Sequence, residues 1–260
     1  YYQRCSQLAS ALEKIGIKPG DVVATVLPNI PAQAEAHFGV PACGAVLNTI
    51  NTRLDLNTIT YIFEHGGAKL VFADTQFLSV VEDAISKLEG PRPTLIEVPD
   101  EFAGFPATGK YETYESFLKT GNVHFDWIMP QDEWESLALN YTSGTTGKPK
   151  GVVYHHRGAY LMTMGTIVSW RMTLNPVFMA IVPLFHCNGW NHTWMMPVLG
   201  GSLVCCRDIT SQAIYDAIAD EGVQYFGGAP IVLNMIVNTI DPERREFDHT
   251  VEVFTAGAPP

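Results

Sequence analysis

Apolar positions along this chain fall into short continuous runs separated by stretches of helical periodicity. Residues 21–27, 45–49, 69–73 and 94–98 are such runs, and they read as strands buried on both faces, as in a parallel sheet. Leu8, Leu12 and Ile15 recur at helical spacing, and Gly16 with Pro19-Gly20 ends that helix. Pro31 suits the first position of a helix over 32–43, where its missing N–H leaves nothing unpaired. Asp55 is placed to cap a helix over 56–65 that stops at Gly66-Gly67, and an amphipathic helix follows over 77–88.

Residues 99–135 break the rhythm. Pro99, Pro106, glycines and many acidic or aromatic residues predict a surface excursion with one short helix near 111–119, and nothing there is flexible enough to separate two domains. The alternation then resumes with strands at 137–141, 152–154, 178–182, 202–206, 223–226 and 251–254. Helices are predicted at 157–170, 190–199, 211–221 and 231–239. Segments at this pitch predict βα units, hence an α/β fold with layered mixed or parallel sheets flanked by helices.

Composition narrows the class. Of 260 residues, 47% are apolar and 17% charged, which fits a globular chain with a substantial core. Sixteen basic against 27 acidic residues give a net charge of −11, which argues against a nucleic-acid-binding face. The five cysteines show no metal-ligand spacing and predict reduced thiols in a cytoplasmic protein; Cys205 and Cys206 fall in an apolar run and read as buried strand residues. The most apolar region, 176–206, is interrupted by His186, Asn188, Asn191 and His192, so no transmembrane segment is expected.

The densest chemistry lies between Tyr141 and Gly151, in YTSGTTGKPKG. Gly144, Gly147 and Gly151 let the backbone approach a ligand closely, and successive N–H groups in such a turn form a nest for anions. Thr142, Ser143, Thr145 and Thr146 add hydroxyl donors, while Lys148 and Lys150 add positive charge. The run follows a predicted strand, so it sits where ligands of open α/β sheets bind. No Gly-Lys-Ser/Thr closes it, which excludes the Walker pattern.

TSGTTGKPKG resembles the phosphate-binding signature of the adenylate-forming superfamily, which includes acyl-CoA synthetases, peptide-synthetase adenylation domains and luciferases. The resemblance implies that Thr142, Ser143, Gly144, Thr145, Thr146 and Gly147 hold the β- and γ-phosphates of ATP. It makes Thr142 a candidate Mg²⁺ contact and puts Lys150, with Thr145, beside the departing pyrophosphate as catalytic groups. Lys148 falls at a position the family leaves variable, and solvent exposure is its expected state.

Downstream, VPLFHCNGW from Val182 to Trp190 is similar to the family's acyl-pocket segment. On residue chemistry alone His186 reads as a satisfied core histidine. The resemblance instead implies a catalytic, substrate-contacting His186 with Trp190 as a pocket wall, since a carboxylate needs a donor and its chain needs apolar surface. The FHCNGW form looks most like short- and medium-chain ligases, including those resembling methylmercaptopropionate-CoA ligase. Gly227-Gly228 at a strand end could admit substrate at Gly228, or could simply precede a helix opening at Pro230. Thr255 to Pro259 is similar to a segment lining the adenine, which implies contacts from Gly257, Ala258 and Pro259; a plain βα turn is the alternative. His155 and His156 flank a helix start and suit capping or packing, Arg53 suits a structural role, and core packing is the default for His192 and Trp194. His37, His65, His124 and His249 form no visible constellation.

The resemblance implies an acid–CoA ligase that uses ATP, Mg²⁺ and coenzyme A as co-substrate on a short- or medium-chain carboxylic acid, with a homodimer as an open assembly state. An adenylating domain that does not use CoA and a nucleotide-binding paralogue without turnover are the alternatives. The chain has no initiator methionine and ends at Ala258-Pro259-Pro260, so residues 1–260 are expected to be a partial amino-terminal AMP-binding domain. The family's magnesium-binding glutamate, ribose-binding aspartate, hinge and carboxyl-terminal lysine would then lie beyond it, and the fragment alone is expected to be inactive.

Overall fold

Short apolar runs do become strands here, in largely parallel sheets flanked by helices. The computed structural model describes residues 1–142, 148–240, 242 and 244–256. Its Cα packing resolves two units, one of residues 1–28 and 32–160, the other of residues 29–31 and 161–260.

In the first unit, β1 (Val22–Val26), β2 (Val46–Thr49), β3 (Ala68–Asp74), β4 (Thr94–Val98), β5 (Ser136–Thr142) and β6 (Lys150–His155) make a six-stranded sheet of order β4-β3-β1-β2-β5-β6. All neighbours are parallel except β5 and β6, which form an antiparallel hairpin. The helices are α1 (Tyr2–Lys14), α2 (Pro31–Ala42), α3 (Leu56–Gly66), α4 (Leu78–Ser86) and α5 (Tyr114–Lys119). Local chemistry sets their ends as expected. The Asp55 carboxylate accepts from the backbone of Asn57 and Thr58 to start α3, and Gly67 closes it at φ 66°, a conformation that favours glycine. Ile59, Ile62 and Phe63 of α3 pack with Val71 of β3 and Val81 of α4 into one buried cluster.

The excursion over 99–135 is tied down by a buried carboxylate. Glu97 accepts from Thr75 Oγ1 and from both the backbone N and the Oγ1 of Thr108, each at 2.8 Å. A second buried carboxylate, Glu35 on α2, accepts from Tyr114 Oη at 2.7 Å and pairs with Arg4 at 2.5 Å, linking α2 to α5 and α1. Such charges are tolerated inside only when paired and hydrogen-bonded.

In the second unit, β7 (Val177–Ala180), β8 (Ser202–Cys205), β9 (Tyr225–Gly228) and β10 (Glu252–Thr255) form a parallel sheet of order β10-β9-β7-β8. It is flanked by α8 (His192–Leu199), α9 (Ser211–Glu221) and α10 (Pro230–Val237). Helix α6 (His156–Ser169) spans the boundary between the units in sequence. Three expectations are corrected. Strand β7 stops at Ala180 instead of Val182, and β9 runs two residues past Phe226, so Gly227 and Gly228 lie within the strand. The predicted helix over 190–199 divides: α8 is right-handed, whereas α7 (Cys187–Trp190) is a left-handed turn with φ of 45° at Cys187, 42° at Asn188, 58° at Gly189 and 53° at Trp190, continued by Asn191 at 65°. No helix of the described residues is long and apolar enough to cross a membrane.

Candidate functional site

The β5–β6 hairpin places the ends of the glycine-rich loop. Thr142 and Lys150 are direct cross-strand partners at its mouth, and both are exposed. Because β5 runs parallel to β2, this mouth opens at the carboxyl edge of the first sheet, where ligands of α/β sheets bind. Ser143, Gly144, Thr145, Thr146 and Gly147 lie outside the described residues. The flanking geometry suits an anion: a lysine ammonium and a threonine hydroxyl stand on opposite strands of a turn built from glycine and hydroxyl residues. Among the described residues no cluster of histidine, cysteine and carboxylate side chains could hold a metal. At Thr142 a Mg²⁺ ion would find a hydroxyl oxygen, a hard donor of the kind this ion prefers.

Aromatic side chains gather at the same mouth. His65 Nδ1 lies 2.8 Å from Tyr141 Oη, its ring stacks on Tyr61 with centroids 5.2 Å apart, and Tyr61 meets Tyr141 edge-on at 6.5 Å. Burial, with a smaller contribution from Tyr61, pushes the Tyr141 phenol up to about 12, so it stays protonated. Lys148 is exposed, as expected, but its ammonium sits 5.5 Å above the Tyr61 ring, a cation–π distance. His65 does therefore belong to a constellation. Its spacing of one helical turn from Tyr61 was the available clue, since residues four apart share a helix face.

The second candidate patch lies at the carboxyl edge of the other unit's sheet. After β7 the chain passes through Pro183 and Leu184 to His186, whose N–H donates to Pro183 O at 2.9 Å and whose ring is exposed. The left-handed turn α7 then sets Trp190 half-buried against β9. Left-handed backbone costs roughly 1–2 kcal/mol per ordinary L-residue, and Gly and Asn are the least penalised. Asn188, Gly189 and Asn191 are suited to it; Cys187 and Trp190 are not. Gly189 also leaves room for Leu184, because a Cβ there would stand 2.6 Å from Leu184 Cδ2 and oblige that side chain to shift. The Asn-Gly pair was the sequence signal for this turn.

Trp190 rests on a glycine. A Cβ at Gly227 would lie 3.0 Å from its Cζ3, so β9 makes room for the indole by omitting a side chain. Gly228 is one residue further along β9, paired with Thr255 of β10 and packed under Val232 of α10. Of the adenine-segment candidates, Gly257, Ala258 and Pro259 lie outside the described residues. Behind Trp190 an aromatic array continues through Trp170, at 6.2 Å, to Phe254, stacked on Trp170 at 4.0 Å. His192 is buried in this array, 4.0 Å from the Phe178 ring. Burial pushes it down to about 3, so it is neutral and belongs to the packing. His155 caps α6 by accepting from Gly158 N at 2.9 Å.

The chain is 44% identical to an acetate/butyrate–CoA ligase of Arabidopsis thaliana described as peroxisomal (AAE7) and 44% identical to an acetate–CoA ligase of Humulus lupulus (CCL3), in both cases over 100% of this chain and 48% of the relative. The chain thus spans about half the length of these relatives. Among solved structures, the inhibitor-bound N-terminal domain of FACL13 from Mycobacterium tuberculosis superposes with a TM-score of 0.82 at 25% identity, covering 99% of this chain and 62% of that one. All of residues 1–260 match the family described as AMP-binding enzyme, and the chain belongs to that family.

Proposed function

We propose that the chain carries the phosphate loop and the acyl wall of an ATP-dependent acid–CoA ligase acting on a short aliphatic carboxylic acid. The observation that carries this reading is the hairpin that sets Thr142 and Lys150 face to face around TSGTTGKPKG, in a chain that matches the AMP-binding family throughout. The acetate and butyrate in the relatives' names support a short acid. Residues 1–260 would form the first part of the AMP-binding domain, which the 48% coverage of the relatives supports. The free thiols of Cys5, Cys43, Cys187 and Cys206 suit a reducing compartment, the cytoplasm in the simplest case.

In the reaction a carboxylate oxygen of the acid bonds to the α-phosphorus of ATP as the bond to the β-phosphate breaks, giving acyl-adenylate and pyrophosphate. The thiol of CoA then displaces AMP and loses its proton. Lys150 would neutralise charge gathering on the leaving phosphates, and the Thr142 hydroxyl and loop N–H groups would orient them. Mg²⁺, when bound, would add charge neutralisation at the same oxygens. His186 would orient the carboxylate and Trp190 would bound its chain.

The test is acid-dependent ATP–pyrophosphate exchange by the full-length protein. Lys150→Ala should lower it by about 10- to 150-fold, the effect of one charge-assisted contact of about 1.5–3 kcal/mol. Unchanged exchange in a folded variant contradicts the assignment.

A further inference from the structure

The segment that carries His186 leaves the sheet at Ala180, and residues 181–184 belong to no strand ladder among the described residues. Buried backbone donors and acceptors nevertheless need partners. They find them in one distant side chain. Asn29, only 5% exposed, donates through Nδ2 to Ala180 O at 2.7 Å and Val182 O at 3.1 Å, with Ile181 O at 3.4 Å. Its Oδ1 accepts from Leu184 N at 2.8 Å. Only a primary amide offers two donors and an acceptor in one plane, and carbonyls on one side with an N–H on the other fix which way it points.

The clamp is coupled mechanically to the turn beyond it. Leu184 Cδ2 occupies the space that a side chain at residue 189 would need, and Gly189 N in turn donates to His186 O at 2.9 Å. A shift of Leu184 therefore moves Gly189, and with it both His186 and Trp190 across the left-handed turn. We propose that Asn29 is a positioning residue for the acyl site: by holding residues 180–184 it fixes where His186 and Trp190 stand. This rests on the acyl-site reading above.

The experiment uses the full-length protein and the variants Asn29→Ala, Asn29→Asp, His186→Ala and the Asn29→Ala/His186→Ala double. Hydrogen exchange reads the clamp directly, and the Leu184 amide should exchange at least about tenfold faster in Asn29→Ala. Acid kcat/KM should fall at least about tenfold while the KM for ATP moves less than about twofold. The double variant should lose less than the product of the single losses, since both changes act on one segment. Asn29→Asp keeps the size and the acceptor but loses the donors, so it should show the same split; it stands in if Asn29→Ala does not fold. Equal damage to acid and ATP kinetics, multiplicative losses in the double variant, or loss of fold in both Asn29 variants would each show a structural role only and overturn the inference. His186→Ala without effect on the acid would instead overturn the acyl-site reading, and this inference with it.

Discussion

A single methyl group tests whether Trp190 bounds the acyl space. At Gly227 a Cβ would stand 3.0 Å from Trp190 Cζ3, 3.2 Å from Cε3 and 3.5 Å from Val182 Cγ2. Carbon atoms in good contact lie about 3.5–4.0 Å apart, so Gly227→Ala obliges the indole to retreat by roughly 0.5 Å. Gly227 is not among the glycines with positive φ, so alanine brings no backbone strain. Trp190 is half-buried and has room to move, which keeps the cost towards the low end of the roughly 1–3 kcal/mol typical of overpacking. If the indole is the pocket wall, it moves into the space that takes the acid's alkyl chain. One methylene in such a pocket changes discrimination by about 1–3 kcal/mol, or about 5- to 150-fold. Gly227→Ala should therefore lower the butyrate-to-acetate ratio of kcat/KM at least about fivefold in the full-length protein, and Trp190→Ala should raise it, both with the KM for ATP nearly unchanged. The assay is initial rate against a series of straight-chain acids. A folded Gly227→Ala protein with an unaltered acid profile, or one whose only change is in ATP affinity, refutes the reasoning.

Glu35→Ala should destabilise the first unit by about 1–3 kcal/mol, because it leaves the buried Tyr114 hydroxyl without its acceptor while Arg4 keeps Glu115; thermal unfolding checks this. His192 sets a pH dependence. Burial holds it neutral down to about 3, whereas in the unfolded chain it takes a proton below about 6.5, so its contribution is full above pH 6.5 and declines as pH falls towards 3. Between pH 7 and pH 5 the native protein should lose about 2 kcal/mol more stability than His192→Phe, as read from exchange of core amides in the second unit, and equal pH slopes would contradict it.

The strands that were legible in the sequence are those buried on both faces. Residues 23–26 and 70–73 are buried throughout, which is why the stretches 21–27 and 69–73 read as apolar runs. The caps at Asp55 and Gly67 were equally plain, since the chemistry of each is local. Misreadings begin where a distant group does the work of a neighbouring strand. Ile181 and Val182 look like strand but pair with Asn29, a residue whose role no local pattern reveals. The antiparallel turn of β6 and the contact of His65 with Tyr141 are likewise tertiary facts. At α7 the signal was present and outweighed: Asn188-Gly189 marks a turn, but the apolar spacing after it reads as one continuous helix. Within the candidate site, the loop and the pair His186 and Trp190 were readable as motifs. Their supports were not, namely Gly227 under the indole and the aromatic group around Tyr141.

The central claim is that a carboxylic acid, ATP and CoA meet on the full-length protein to give a thioester. The direct measurement is the product balance with Mg²⁺ and straight-chain acids from acetate upwards, following AMP, pyrophosphate and acyl-CoA together. Equal amounts of all three are expected, dependent on the acid and highest for short chains. Release of ADP and phosphate in place of AMP and pyrophosphate, or AMP release indifferent to every acid, would contradict it.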